Sequence, residues 1–119
     1  MKKNFVTIGV NSLESSIAFY KEILNFKENK RLAPAPGLQL VFLENENNFK
    51  IELVDREDSE PIDYSTSPFT LTFMVDDLDS RQELLEQKSI VFTRFPLPTG
   101  IDIIRFSDPD GLGIAFIKD

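Results

Sequence analysis

Residues 5–24, FVTIGVNSLESSIAFYKEIL, and residues 70–88, TLTFMVDDLDSRQELLEQK, match at an offset of 65, so that Val10 falls on Val75 and Leu13 on Leu78. Farther on, LQLVFLENENNFKIELV and IDIIRFSDPDGLGIAFI match without a gap at an offset of 63. A fixed-period match of this kind means one supersecondary unit used twice. At 119 residues the chain is long enough for one domain with a core and too short for two independent domains of usual size. The expectation is therefore a single domain, 1–119, made of a first module at 1–54, a linker at 55–67 and a second module at 68–119.

Each copy opens with an alternating strand, at 4–10 and 69–75, and passes directly into a helix. Asn11 followed by Glu14 resembles a capping box, and Asp76 or Asp77 is placed to cap the second helix. Leu13, Ile17, Tyr20 and Leu24 recur at helical spacing, and Leu78, Leu84 and Leu85 form a shorter, more polar counterpart. Three strands follow in each copy, near 26–31, 38–43 and 49–54, then near 90–95, 101–106 and 112–117. The turn sequences NENN and DPDG suit tight turns. RLAPAPG (31–37) and FPLPTG (95–100) read as stiff connections between second and third strands. The fold class is α+β, with β-α-β-β-β spelled twice.

Successive strand side chains point to opposite faces of a sheet. Val6, Ile8, Val10, Leu71, Phe73 and Val75 form the set that suits a helix, as do Phe49, Ile51, Leu53, Leu112, Ile114 and Phe116. The other face then collects Phe5, Thr7, Phe42, Lys50 and Glu52 in the first copy, and Thr70, Thr72, Arg105 and Ala115 in the second. These nine residues are the candidate ligand-binding set. Glu52 is the odd member, because Ala115 occupies its place in the second copy. A carboxylate on an apolar surface needs a partner, and Lys50 and Arg105 are the candidates for an ion pair.

Composition excludes more than the motifs add. The chain has no Cys and no His, so thiolate chemistry, disulfides and the commonest metal ligand and neutral-pH base are all missing. With 20 acidic against 13 basic residues the formal charge is −7, which disfavours a nucleic-acid partner. No apolar stretch reaches the roughly 18 to 20 residues of a membrane span, and the apolar run after MKKN is too short for a signal peptide. The expectation is a cytoplasmic protein with neither nucleic acid nor membrane as partner.

The tandem β-α-β-β-β units, the helix entries VNSLESSIAFYKEILNF and FMVDDLD, and the closing FSDPDGLGIAFI together resemble the vicinal oxygen chelate superfamily. That group includes glyoxalase I, extradiol dioxygenases, fosfomycin resistance enzymes and bleomycin resistance proteins. The resemblance covers essentially the whole chain. It implies a cupped mixed sheet around a concave cavity, and a homodimer. In the metal-dependent members the first and last strands of each module supply ligands, commonly His and Glu. Carried across, those positions are Phe5 and Glu52 in the first module, and Thr70 and Ala115 in the second, so that only Glu52 is a plausible metal ligand.

Function, unlike fold, has to be read at the site. The leading expectation is a metal-free protein of the bleomycin resistance type, without cofactor or catalytic residue. It would hold a small cationic or aromatic molecule in an apolar cavity, with drug sequestration as one form of that role. The alternative is a lactoylglutathione lyase-like or dioxygenase-like enzyme with Ni, Zn, Mn or Fe in an atypical site, using carboxylates such as Asp102, Asp108 or Asp110. A third possibility is an assembly module whose inward aromatics only fill a core.

Overall fold

In the computed structural model, which describes residues 2–119, the chain divides into two units, one reaching Ile62 and the other running Asp63–Asp119. The first unit contains β1 (Phe5–Gly9), α1 (Leu13–Glu22), β2 (Lys27–Ala35), β3 (Leu38–Glu44) and β4 (Lys50–Arg56). The second contains β5 (Thr70–Val75), α2 (Leu78–Gln87), β6 (Thr93–Pro96), β7 (Asp102–Ser107) and β8 (Gly113–Lys118). Each forms a mixed four-stranded sheet, ordered β1-β4-β3-β2 and β5-β8-β7-β6. The first strand of each unit pairs parallel with the last, and the other pairings are antiparallel. Parallel neighbours need a crossover connection, and in each unit that path includes the helix.

The helix covers one face of its sheet, and the core forms there. In the first unit Val41, Leu43, Ile51 and Leu53 are fully buried, together with Ile17 and Tyr20 of α1. In the second, Ile104, Ile114 and Phe116 are buried, as are Leu78 and Leu85 of α2. Each such Leu or Ile contributes roughly 1.5–3 kcal/mol relative to exposure. Tyr20 is therefore a core residue, at 0% exposure, and its ring stands edge-on to Phe26 at 5.8 Å.

The caps differ from the sequence expectation. Ser12, not Asn11, caps α1, its hydroxyl accepting from the Ser15 amide at 3.3 Å, while Asp55 accepts from the Leu13 amide at 3.0 Å. Asn11 instead clasps the backbone of Ile62 through both ends of its amide, at 2.7 and 2.8 Å. Ser and Asn are both good N-caps, and the extended backbone of Ser12 decides between them. Asp77 caps α2 by accepting from Asp79 and Ser80.

RLAPAPG is mostly strand rather than loop, since β2 continues to Ala35 and turns at Gly37, whose φ is +74°. Pro34 is tolerated because β2 is an edge strand and the ladder shifts register between Leu32 and Ala35. The tract 55–67 likewise begins inside β4 rather than after it.

α2 ends in a Schellman turn. The Ile90 amide donates to Leu85 and the Ser89 amide to Glu86, with Ser89 left-handed at φ +56°. A residue with a Cβ is disfavoured there. Ser89→Gly is therefore expected to raise stability by about 1 kcal/mol in urea unfolding. Ser16 offers a second gain: its hydroxyl is buried on α1 with no hydrogen-bond partner among the described residues. Ser16→Ala should stabilise by about 1 kcal/mol in the same measurement, whereas a loss would mean that the hydroxyl is satisfied.

Candidate functional site

The sheet faces turned away from the helices carry the nine residues singled out by sequence. Strand register arranges most of them in rows. In the first unit Thr7 of β1, Glu52 of β4 and Phe42 of β3 stand abreast. In the second unit the corresponding row is Thr72 of β5, Ala115 of β8 and Arg105 of β7. Phe5 and Thr70 lie one row away, paired with Lys50 and Gly113. The Glu52/Ala115 difference thus sits at the middle of equivalent rows.

Around Glu52 the surroundings are part polar and part aromatic. The Thr7 hydroxyl donates to its carboxylate at 2.8 Å. Phe5 and Phe42 meet edge-on with centroids 5.1 Å apart, and Phe5 remains 48% exposed. Lys50 does not pair with Glu52. Its ammonium lies 3.9 Å from Glu44 and 5.9 Å from the Phe42 ring centroid. A half-buried carboxylate with an aromatic cross-strand neighbour suits a cationic or aromatic group.

In the second unit the acceptor is gone and a donor takes its side of the sheet. Arg105 Nη2 donates to the Thr70 hydroxyl at 3.1 Å, while Ala115 is fully buried. Thr72 and Met74 continue this face on β5 and are exposed, Met74 at 66%.

Metal chemistry can be tested on the donors present. The four superfamily ligand positions hold a phenyl ring, a carboxylate, a hydroxyl and a methyl, and the one carboxylate already accepts from Thr7. Divalent cations require several charged or imidazole ligands converging in good geometry, so this donor set does not fit one. Among the described residues no group of three or more Asp and Glu converges elsewhere. Asp102 is bonded to Arg94 Nε at 2.9 Å, and Asp108 is buried in its turn, accepting from the amides of Asp110 and Leu112. These carboxylates serve structure.

Sequence reasoning missed a contribution from residues after the first unit. Tyr64, Ser65 and Ser67 border a cavity of about 240 Å³ that also reaches Phe69, Thr70, Arg105 and Gly113. The segment is pinned to the DPDG turn through the Tyr64 amide, which donates to Asp110 at 2.9 Å. Gly111 makes the approach possible: its φ is +88°, and a Cβ there would come within 3.0 Å of the Ser65 nitrogen. The only advance signal was DPDG itself.

The family model for the Glyoxalase/Bleomycin resistance protein/Dioxygenase superfamily matches residues 2–116. Among solved structures, a glyoxylase/bleomycin resistance protein/dioxygenase domain from Frankia sp. EAN1pec is 24% identical, with a TM-score of 0.83 over 99% of this chain and 91% of that one. A fosfomycin resistance protein from Listeria monocytogenes is 16% identical, with a TM-score of 0.79 over 100% and 93% of the two chains. A lactoylglutathione lyase from Agrobacterium tumefaciens is 19% identical, with a TM-score of 0.69 over 99% and 94%. At these identities the likeness concerns fold. No curated protein matches by sequence.

The cavity wall supplies a pH-dependent check. Asp63 accepts from the Ser65 amide at 2.9 Å, and this backbone hydrogen bond holds its carboxyl below the ordinary value of 3.8. A depressed folded-state pKa gives stabilisation that is present above the unfolded value and lost as pH falls through the folded one. Carbon-detected NMR titration should place the Asp63 midpoint below 3.8. A midpoint at or above it would mean that the turn does not hold the carboxylate.

Proposed function

Since the chain belongs to the glyoxalase/bleomycin resistance protein/dioxygenase superfamily, its role turns on whether it uses that fold for metal chemistry or for binding, and we propose binding. In this reading the protein holds a small aromatic or cationic molecule on the sheet faces turned away from the helices, without a metal and without covalent chemistry. Drug sequestration is one form of that role. The supporting observation is the row Thr7–Glu52–Phe42, where a carboxylate satisfied by a hydroxyl lies next to aromatic rings. Such a surface offers shape, apolar contact and one acceptor, the usual ingredients of a ligand site. It offers no converging set of ligands for a Lewis acid.

Phe5 and Phe42 supply flat apolar contact, and Glu52 supplies charge complementarity to an amine. Thr7 fixes the carboxylate so that little ordering is left to do on binding. A fosfomycin resistance protein among the structures of this fold makes antibiotics a sensible part of a first ligand panel. The reading also includes a homodimer, checked by light scattering, and residence in the cytoplasm.

Metal content of the protein purified without chelator, followed by calorimetric titration with Ni²⁺, Zn²⁺, Mn²⁺ and Fe²⁺, tests the proposal. The expected outcome is no stoichiometric metal and no tight binding, in wild type and Glu52→Gln alike. One tightly held ion per chain that Glu52→Gln abolishes would overturn it and favour a lyase or dioxygenase.

A further inference from the structure

The cavity beside Arg105 lies wholly within the second unit, and its make-up differs from that of the Glu52 face. Thr70, Gly113 and Ser107 stand abreast on β5, β8 and β7, and Arg105 sits two residues before Ser107 on the same side of β7. The Arg105 side chain reaches diagonally over β8 to Thr70 on β5. Gly113, which lies between them, has no side chain. A Cβ there would lie 3.2 Å from Thr70 Oγ1, so that the hydroxyl holding the guanidinium would have to give way, and 3.8 Å from Arg105 Nη2, in ordinary van der Waals contact. Gly113 does not have the left-handed φ that marks Gly37, Gly100 and Gly111, so space above the strand, and not backbone conformation, is what this glycine provides.

A guanidinium carries five N–H donors in a planar fork. One is engaged, by Thr70, and no carboxylate of the same unit pairs with Arg105 among the described residues. The charge is thus held in place without being neutralised by its own unit, in a protein whose formal net charge is −7. The Thr70 hydroxyl accepts from Arg105 and the Ser67 hydroxyl accepts from the Phe69 amide at 3.2 Å. Both keep their protons to donate. Donors therefore gather at a cavity of about 240 Å³, a size suited to a small oxyanion or to the anionic end of a larger molecule.

We propose that this pocket is an oxyanion site, in which Arg105, oriented by Thr70 over Gly113, takes the carboxylate or phosphate group of a small ligand. The inference deepens the binding reading above and rests on it, by giving the second unit a ligand chemistry opposite to that of Glu52. Fork-to-oxyanion pairing supplies both strength and orientation.

The test is a ¹H–¹⁵N NMR titration with inorganic phosphate and, separately, with benzoate, at constant ionic strength, following the Arg105 Nε–H and Gly113 amide signals. Saturable shifts at both signals with either anion are expected in wild type, and at the Gly113 amide, which remains observable in Arg105→Gln, the affinity should fall about tenfold or more in that variant. Phosphate and benzoate arms tell a tetrahedral preference from a planar one. Gly113→Ala provides the second variant, and should weaken binding while leaving Arg105 and its charge in place. Absence of saturation with both anions, or shifts that persist unchanged in Arg105→Gln, would overturn the proposal. If the anions fail while an aromatic amine such as benzylamine still shifts Thr7 and Glu52, the oxyanion site falls and the binding reading stands.

Discussion

The parallel pairing of each unit's first strand onto its last is the contact from which the rest of the structure follows. It makes β4 and β8 interior strands, and it commits α1 and α2 to covering one face of the sheet. Once Ile51, Leu53, Ile114 and Phe116 are buried beneath the helices, period-2 alternation sends Glu52 and Ala115 to the opposite side. The residues available for function are therefore fixed by the demands of the core. Glu52 need not be expelled to water, because Thr7, its neighbour in the row, satisfies it.

Duplication gave two equivalent rows, and the chain has filled them with opposite chemistry. Thr7, Glu52 and Phe42 present an acceptor flanked by an aromatic ring, whereas Thr72, Ala115 and Arg105 present a small apolar centre flanked by a cation. Of the four positions at which metal-dependent members of the superfamily supply ligands, only Glu52 offers a charged donor, which is too few for a divalent cation. The two rows are easier to reconcile with recognition, in which Glu52 on the first face and Arg105 on the second each select their own complementary group.

Much of this was legible in the sequence because periodicity reports faces directly. Ile51, Leu53, Ile114 and Phe116 read as helix-facing and are so. Periodicity does not report rows. Sliding β1 by two residues against β4 keeps every side chain on its face yet exchanges Thr7 for Phe5 beside Glu52, and no local signal distinguishes the two registers. Sequence alone therefore does not single out Thr7 as the partner of Glu52, and it favours Lys50, nearer in the chain, which in the structure turns to Glu44. The caps failed for a similar reason, since Asn11 and Ser12 are adjacent and both competent. Pro34 hid the length of β2 because a proline reads as a break unless the strand is known to be at an edge. The wall at Tyr64–Ser67 was invisible, as it depends on a long-range bond to Asp110 from a tract without periodicity.

The central claim is that ligands meet these sheet faces without a metal between. The most direct measurement is a ¹H–¹⁵N spectrum of the protein in EDTA, recorded with and without a panel of aromatic amines and aromatic carboxylates. The account predicts that amines shift the Thr7 and Glu52 signals and carboxylates those of Gly113 and Arg105, with the chelator present throughout. Spectra that stay unchanged in EDTA and respond only after a divalent cation is added would contradict it.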